Sequence, residues 1–367
     1  MMKFEVSQQA LLKPLQLVTS VVERRQTLPI LSNLLLEVDN DGYLTLTATD
    51  QEVELSDRIK VTDCVIGEVT VPARKLLDIC RSLSTEETIR AEMEDSRLLL
   101  SSGRFRSHLA TLPATEFPKV EFDGGSLDIK VQSSSLRRLL SRTSFAMAQQ
   151  DVRYFFNGLL LEVEENQLQT VATNGQRLAL NKATAEVQIT QQRQAIIPRK
   201  GVVELLRLLD DESLVEISIS ANHLVARVGE RLLTTKLIDA TYPDYQRAIP
   251  AKGKNFFRAD KDELKEALTR TAILSNEMYR SIHLTLSAGN LNLRANNPQQ
   301  EEAEETIAVD YQGEELQVAF NVGYLLDVLS VIDGDKVEFN LADTNGAVVV
   351  KQVGDEDATF VVSPMVL

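Results

Sequence analysis

Three copies of one strand–turn–strand pattern recur along this chain at a fixed spacing. NLLLEVDNDGYLTLTATD begins at Asn33, NGLLLEVEENQLQTVATN at Asn157 and SIHLTLSAGNLNLRANN at Ser281, so successive copies start 124 residues apart. Each copy alternates apolar and polar residues on both sides of a turn, which is the signature of a β-hairpin. Because similarity at a fixed period constrains the architecture more than any single motif does, the chain is expected to be built from three like units.

Two helical patterns recur together with the hairpins, one at the start of each unit and one after each hairpin. The first occurs as SQQALLKPLQLVTSVV from Ser7, SSSLRRLLSRTSFAMA from Ser133 and DKDELKEALTRTAILS from Asp260. The second occurs as VPARKLLDICRSL from Val71, IPRKGVVELLRLL from Ile197 and FNVGYLLDVLSVI from Phe320. Ser7 and Asp260 are suited to cap helix N-termini, whereas Pro14 lies deep enough in its pattern to predict a kink or a late helix start.

The repeats predict three similar domains, each near the size at which a chain buries its own core. The turn-rich segments EFDGGS and IPAKGKN separate the units. We expect domain 1 at residues 1–125, domain 2 at 126–252 and domain 3 at 253–367. The expected fold class is α+β, with two helices packed on antiparallel sheets in each domain.

Composition is ordinary for a globular protein and does not identify a partner. Apolar residues make up 43% of the chain and charged residues 25%, both common values. The formal charge of −15 governs solubility, whereas binding depends on where the basic residues lie. Cys64 and Cys80 form no CxxC pair, which indicates a reducing compartment without a disulfide framework or zinc site. Because the sequence has no signal-peptide pattern and no apolar run of about 18 residues, we expect a cytoplasmic protein without a membrane partner.

Sequence motifs of catalysis are missing from the chain. It contains no GxxxxGK phosphate loop, no GxGxxG, no HExxH and no GxSxG. His108, His223 and His283 are scattered through strand-like segments, where ordinary sheet positions explain them better than acid–base or metal chemistry. The acidic run at 301–305 indicates a solvated or interacting face; a metal cluster is the alternative, but no His or Asp partner lies nearby. We therefore expect no catalytic residue, no metal and no cofactor.

Basic residues recur at equivalent helix positions in the repeats. In the first helix of each unit they are Lys13, then Arg137, Arg138 and Arg142, then Lys261, Lys265 and Arg270. In the second helix they are Arg74, Lys75 and Arg81, then Arg199, Lys200 and Arg207. A solvated helix face explains each of them alone, but together they indicate one positive surface on an acidic protein. The second helix of the third unit, GYLLDVLSV, has no basic residue, so this stripe is incomplete.

Long segments in all three units resemble one protein family. They include PLQLVTSVVERRQTLPILSNLLLEV, FAMAQQDVRYFFNGLLLEV, VATNGQRLA, YPDYQRAIP, AILSNEMYRS and NNPQQEEAEE. In order and over the whole chain, they are similar to the bacterial DNA sliding clamps, the beta subunits of DNA polymerase III. The resemblance implies a head-to-tail homodimeric ring that encircles double-stranded DNA without sequence specificity. It also implies a non-catalytic processivity factor that tethers polymerases and the clamp loader through short linear peptides; the alternative is a repeat scaffold for DNA-metabolism proteins that does not encircle DNA.

The resemblance also assigns three sets of site residues. The DNA-binding set is Arg25, Arg74, Gln149, Gln150, Tyr154, Phe155 and Lys200. The partner-peptide pocket is Phe156, Thr173, Gly175, Gln176, Arg177, Leu178, Pro243, Arg247, Ala248, Tyr279, Asn321, Tyr324, Val361, Val362, Ser363, Pro364, Met365, Val366 and Leu367. The dimer interface is Lys75, Arg104, Arg106 and Leu109 against Ile273, Leu274, Glu301, Glu302, Glu304 and Glu305. The residues that depart from the family's usual ones are Phe155 for Tyr, Phe156 for Leu, Gln176 for His, Ser363 for Met, Val366 for a basic residue and Ser107 for an aromatic one.

Helix dimensions give an independent test of the implied ring. Helices pack about 8–10 Å apart and are about 10–12 Å across with their side chains. Six helices from one chain would place opposite axes only ~18 Å apart and leave less than about 10 Å free. Twelve helices leave roughly 25 Å clear, so a ring that admits a duplex needs two chains.

Overall fold

The structure is a computed structural model of the chain. It describes residues 2–23, 28–120, 122, 124, 127–187, 189, 192–210, 213–251, 253, 255–341 and 346–365. Its internal contacts divide the chain into unit 1, which contains Met1–Ser134 and Lys200–Leu237, and unit 2, which contains Ser135–Arg199 and Ile238–Leu367. The predicted domain 2 is divided between these units because its strands belong to two different sheets. The domain boundaries after residues 125 and 252 stay predictions.

Six α-helices occur in the described residues: α1 (Gln8–Thr19), α2 (Ala73–Ser82), α3 (Ser133–Thr143), α4 (Arg199–Leu208), α5 (Lys261–Ala272) and α6 (Val322–Ser330). The predicted caps are present, because the Ser7 hydroxyl accepts from the Ala10 amide at 3.2 Å and Asp260 accepts from two amides of the first turn of α5. The predicted late start at Pro14 is wrong. Pro14 is buried inside α1, where its ring packs on the face that the helix turns toward the core.

The strands of unit 1 are β1 (Lys3–Ser7), β2 (Asn33–Val38), β3 (Tyr43–Thr49), β4 (Val53–Lys60), β5 (Thr62–Val65), β6 (Gly67–Pro72), β7 (Thr88–Glu94), β8 (Arg97–Ser102), β9 (Phe105–Ala110) and β10 (Leu127–Gln132). The strands β11 (Gly158–Glu164), β12 (Gln167–Thr173), β13 (Arg177–Thr184) and β14 (Arg193–Pro198) follow in unit 2. The chain then returns to unit 1 with β15 (Leu214–Ile219), β16 (His223–Val228) and β17 (Arg231–Lys236). Unit 2 is completed by β18 (Asn255–Asp260), β19 (Ser281–Ser287), β20 (Asn290–Asn296), β21 (Glu302–Ala308), β22 (Leu316–Asn321), β23 (Lys336–Leu341), β24 (Val348–Gln352) and β25 (Ala358–Val362).

Each unit contains one eight-stranded sheet and one smaller sheet. In unit 1 the strand orders are β10-β15-β16-β17-β4-β3-β2-β6 and β5-β1-β7-β8-β9. In unit 2 they are β14-β11-β12-β13-β25-β24-β23-β18 and β21-β20-β19-β22. All of these strand pairs are antiparallel, and the three hairpins predicted from the repeats are β2–β3, β11–β12 and β19–β20.

The eight-stranded sheets join neighbouring repeats edge to edge. In unit 1, β17 pairs with β4 and sets Leu233 opposite Leu55; in unit 2, β25 pairs with β13 and sets Val361 opposite Leu178. By repeat position, β4 and β13 correspond to β21 in the third repeat, whereas β17 and β25 correspond to β9 in the first. Both β21 and β9 are edge strands, and within the described residues they pair only with β20 and β8, respectively.

Strand β2, the first strand of the first hairpin, is buried on both faces, which explains its sequence. Leu34, Leu35 and Leu36 on β2 are each at most 1% exposed. Leu35 belongs to a cluster with Ile30 and Leu31, which come from the loop before β2 and cover this face of the sheet. A strand covered on both faces needs a continuous apolar run in place of strict alternation. None of the described helices is both long enough and apolar enough to cross a membrane.

Candidate partner-binding site

An apolar cluster on the eight-stranded sheet of unit 2, called the floor below, contains two of the residues predicted for the peptide pocket. Leu178 on β13 and Val361 on β25 lie opposite each other and are 2% and 3% exposed. The remaining buried members of this cluster are Leu160, Val171, Leu180, Ile196, Tyr242 and Tyr245, with Phe155, Ile238, Ile249 and Ala347 partly buried against it. Two of the predicted pocket residues therefore belong to one buried apolar cluster.

Aromatic rings continue this floor on one side. Phe156 is 7% exposed and packs edge to face on Phe155, with ring centroids 4.6 Å apart. The structure thus brings Phe155, which was predicted to face DNA, into contact with the pocket residues. The guanidinium of Arg153 lies 4.5 Å from the centre of the Phe156 ring and is held by the Asp151 carboxylate at 2.8 Å. The prediction from the sequence did not include Arg153. The Asp-Val-Arg spacing just before the aromatic residues is a local signal for this ion pair between Asp151 and Arg153.

A turn between β12 and β13 shapes the next part of the pocket. The Asn174 side-chain oxygen accepts from the amides of Gln176 and Arg177, each at 3.0 Å. The Thr173 hydroxyl accepts from the Gly175 amide at 3.0 Å and donates to the Arg177 carbonyl at 2.7 Å. Gly175 has φ +88°, which favours glycine at this position. The turn is therefore formed by its own side chains before any ligand binds.

The charge of Arg177 is satisfied inside unit 2. Its guanidinium pairs with Asp327, donates to the Phe145 carbonyl at 2.5 Å and lies 4.6 Å from the centre of the Tyr324 ring. Only 12% of the Arg177 side chain is exposed. Tyr324 in turn donates to the Gln176 side-chain oxygen at 2.7 Å. Arg177 therefore ties β13 to α6 and shapes the pocket wall, rather than presenting a free cation to a ligand.

The C-terminal segment lies along the strands next to the pocket. The Ser363 amide donates to the Gln176 carbonyl at 2.8 Å, and the Met365 amide donates to the Ala319 carbonyl at 2.8 Å. Ser363, Pro364 and Met365 are all half-buried. Val366 and Leu367 lie outside the described residues.

The other predicted pocket residues lie at the rim. Pro243, Arg247 and Ala248 are exposed on or beside the short 3-10 turn Tyr245–Ala248. Asn321 caps α6 by accepting from the Gly323 amide at 2.9 Å, and its side-chain nitrogen donates to the Tyr279 carbonyl at 3.2 Å. The predicted pocket set did not include Tyr242 and Tyr245, although Tyr245 begins this turn and Tyr242 lies just before it. Both rings are buried, and their spacing in YPDYQRAIP does not predict that burial.

The predicted DNA-binding residues divide between the two units. In unit 2, Gln149 and Gln150 are exposed, and Tyr154 is 74% exposed. In unit 1, Arg74 is exposed and lines a cleft of about 450 Å³ together with Arg81 and Arg207. Lys200 also lies in unit 1. Arg25 lies outside the described residues.

Lys200 is held by two carboxylates within unit 1. Its ammonium lies 2.9 Å from Glu23 and also pairs with Asp50, whose side chain is 6% exposed. Burial alone lowers the pKa of Lys200, but the Asp50 and Glu23 carboxylates outweigh burial and raise this pKa above its ordinary value. The cation is therefore present at neutral pH but already has internal partners.

The predicted dimer residues lie on or beside two edge strands and at two helix ends, since Lys75 is in the first turn of α2 and Ile273 and Leu274 follow α5. Arg104 and Arg106 are exposed at β9, whereas Leu109 is only 4% exposed and has little side-chain area left for a partner. On and beside β21, Glu302 pairs with Arg294 at 2.7 Å and Glu305 with Arg270 at 2.6 Å. The other residues of this set are Lys75 and Ile273, which are exposed, Leu274, which is half-buried, and Glu301 and Glu304, which are exposed.

Comparison with known proteins assigns all three repeats to one family. Models of the DNA polymerase III beta subunit match the N-terminal domain at residues 2–121, the central domain at 130–244 and the C-terminal domain at 246–366. The beta sliding clamp of Pseudomonas putida is 51% identical over 366 residues, which is 99% of this chain and 100% of the relative. The crystal structure of the Pseudomonas aeruginosa sliding clamp bound to griselimycin superposes with a TM-score of 0.97 at 51% identity, and the beta subunit of Caulobacter crescentus polymerase III with 0.93 at 36%, each covering 100% of both chains. The chain therefore belongs to the family of DNA polymerase III beta subunits, the DNA sliding clamps.

Proposed function

We propose that two copies of this chain assemble head to tail into a cytoplasmic ring that encircles double-stranded DNA and tethers DNA polymerases without catalysing a reaction. The observation that carries this proposal is that the two smaller sheets correspond to the two halves of an eight-stranded sheet. By repeat position, β1-β7-β8-β9 corresponds to β10-β15-β16-β17, and β21-β20-β19-β22 corresponds to β4-β3-β2-β6. Pairing β9 of one copy with β21 of another would complete the same sheet between chains.

The internal joints supply a register for the joint between chains. Leu232 lies opposite Ser56 at the first joint, and Thr359 lies opposite Leu180 at the second. The equivalent positions on the free edges are Arg106 and Glu304, whose charges are opposite. Such a pair favours the correct partner edge over a like-charged one. Ser107 takes the position of Leu233 and Phe360, both fully buried, so we expect a smaller apolar centre between chains than within the chain.

Charge and apolar exposure both support this interface. The edge around β21 carries four glutamates, Glu301, Glu302, Glu304 and Glu305, of which Glu302 and Glu305 have arginine partners in unit 2. It therefore remains acidic, whereas β9 presents Arg104 and Arg106. Ile273 is 76% exposed at the end of α5, and a large exposed side chain of this kind is a common anchor at the core of an interface.

Encirclement explains why the DNA contacts need not be tight. A closed ring stays on DNA by topology, so its basic residues need only compensate phosphate charge without reading bases. We therefore expect protein loaded onto nicked circular DNA to remain bound through gel filtration and to be lost after one restriction cut linearises the circle. In the control, the same nuclease cuts a separate supercoiled plasmid while the circle that carries the protein remains uncut. Equal retention on circular and linear DNA would favour the non-encircling scaffold and contradict the ring.

Lys200 offers a test of the DNA surface because its internal partners are known. Lys200→Met should weaken retention on DNA and reduce the slope of log K against log salt by about 0.9, the value for one phosphate contact. Asp50→Asn keeps the lysine but removes one internal partner, so retention should increase. Filter binding across a salt series measures both variants. If neither variant changes retention while both lower the unfolding temperature, Lys200 is a tie within unit 1 and not a DNA contact.

The pocket on unit 2 is proposed to take short linear peptides of polymerases and of the clamp loader. Its apolar floor at Leu178 and Val361 suits buried anchor side chains, while the rim at Arg247 and Asn321 supplies polar contacts, which is the usual division of a peptide site. Griselimycin, which is bound to the relative from Pseudomonas aeruginosa, is expected to bind in this pocket. Exclusive binding of one small segment at a time lets several partners exchange on one ring.

A further inference from the structure

Glu162 is a buried carboxylate that the proposed ring and pocket do not yet use. It lies on β11 and is 3% exposed. Its oxygens accept from the Tyr245 hydroxyl at 2.5 Å and from the side-chain amides of Gln169 at 2.5 Å, Gln194 at 2.7 Å and Gln192 at 3.2 Å. All of these partners in the described part of the chain are neutral. Because burying a carboxylate is costly unless hydrogen bonds compensate it, a carboxylate surrounded in this way indicates a specific role.

The sheet register places this polar group beside the pocket floor. Gln194, Glu162 and Gln169 lie opposite one another on β14, β11 and β12. The next residues on the same face, two positions along each strand, are Ile196, Leu160 and Val171, which belong to the apolar floor. The polar row therefore borders the floor directly.

Tyr245 connects Glu162 to the pocket wall. Its ring is part of the floor cluster, and its hydroxyl also lies 2.5 Å from the Gln169 side-chain nitrogen. Tyr245 is the first residue of the 3-10 turn Tyr245–Ala248, which carries Arg247 and Ala248. Burial raises the pKa of the Tyr245 phenol and the hydrogen bond to Glu162 raises it further, so the phenol remains a neutral donor at physiological pH.

We infer that Glu162 is a positioning residue of the peptide pocket, which acts through Tyr245 to hold the wall segment 242–248 where a bound peptide needs it. This inference rests on the proposed function of the pocket. Glu162 itself is buried, and the role inferred for it requires no contact with the peptide. Its contribution is to keep the wall in the binding-competent position before the peptide arrives, and any fraction of time spent elsewhere weakens the apparent affinity in proportion.

Removal of the acceptor should therefore weaken binding without removing a ligand contact. We expect Glu162→Ala to bind griselimycin about tenfold more weakly than the wild-type chain in calorimetry, because its wall occupies the competent position about a tenth of the time. Tyr245→Phe removes the same link and should lose a similar factor. Since both changes break one connection, the double variant should be no weaker than the weaker single variant. Glu162→Gln retains an oxygen that accepts from Tyr245 and should bind within about threefold of wild type.

The matched control is Glu164→Ala. Glu164 is exposed and lies two residues along the same strand, on the same face, where it accepts from Gln192 at 3.2 Å. This variant should bind like wild type. A second readout needs no ligand: hydrogen exchange of the amides in segment 242–248 should be faster in Glu162→Ala and Tyr245→Phe, with exchange in β18 and β23 unchanged.

The outcomes separate this inference from the proposed function. If wild type binds griselimycin and Glu162→Ala binds equally well, or if exchange accelerates throughout unit 2, the positioning role is wrong. If wild type does not bind griselimycin, the proposed use of the pocket is wrong in that respect, and the exchange experiment still decides whether Glu162 holds the wall.

Discussion

Replacing Ile273 with Ala and Leu274 with Lys is expected to convert the proposed ring into monomers of 40.9 kDa. Ile273 is 76% exposed and Leu274 is half-buried beside it, so the double change removes the proposed apolar anchor and introduces a charge into its place. An unpaired charge at the centre of an interface costs several kcal/mol, on the order of 2–5, when it is desolvated. Sedimentation velocity at micromolar concentration measures the change directly.

The control for this experiment is an equally exposed apolar residue on another element. Val152 is 87% exposed, and Val152→Lys should leave the sedimentation coefficient unchanged. A double variant at Ile273 and Leu274 that still sediments as a dimer would rule out this interface. It would also remove the support for pairing β9 with β21, because the helix end and the edge strand belong to the same proposed contact.

Deleting residues 364–367 should abolish binding of griselimycin and of the replicative polymerase of the same cell, with a loss of at least about 100-fold, or about 2.7 kcal/mol. The deletion removes Pro364 and Met365 from the wall beside Gln176, and also removes the hydrogen bond from Met365 to Ala319 that holds the segment in place. Methionine is adaptable at surfaces that serve several partners. Isothermal calorimetry and polymerase pull-down measure the two losses.

The deletion should leave the proposed dimer and its expected retention on circular DNA intact, because the residues proposed for both lie in other parts of the chain. Met278→Ala provides a matched control, since Met278 is an 80% exposed methionine of the same unit and should not affect binding. Undiminished affinity after the deletion would contradict the assignment of the pocket to the C-terminal segment.

The repeats allowed most of the fold to be predicted because their information is local. Alternation identified the three hairpins, and the caps at Ser7 and Asp260 follow from the chemistry of the residues themselves. Alternation does not name a partner strand, however. The pairing of β17 with β4 and of β25 with β13 therefore had to come from the structure.

The residues of the candidate partner-binding site were predicted from the family resemblance alone. Thr173, Arg177 and Val361 lie on the paired strands β12, β13 and β25 of unit 2. The ion pairs of Arg177 with Asp327 and of Lys200 with Asp50 each join residues 150 positions apart, and no local sequence pattern predicts them. Glu162 was missed for a different reason. A glutamate in a strand is normally predicted to face solvent, and Glu37, the repeat equivalent of Glu162, is only half-buried. The burial of Glu162 involves Tyr245, which is 83 positions further along the chain.

The correspondence of β9 and β21 with the internal joints has a consequence for assembly. A contact between two different surfaces of the same molecule forms a closed dimer only if the rotation between the two copies brings the free surface of the second copy onto the free surface of the first. An identical joint with a slightly different twist would add copies without limit and produce a filament. Ring closure therefore depends on the angle at each joint as well as on the affinity between chains. Variants with substitutions at the internal joints, such as at Leu55 or Leu233, should be examined for open polymers as well as for loss of stability.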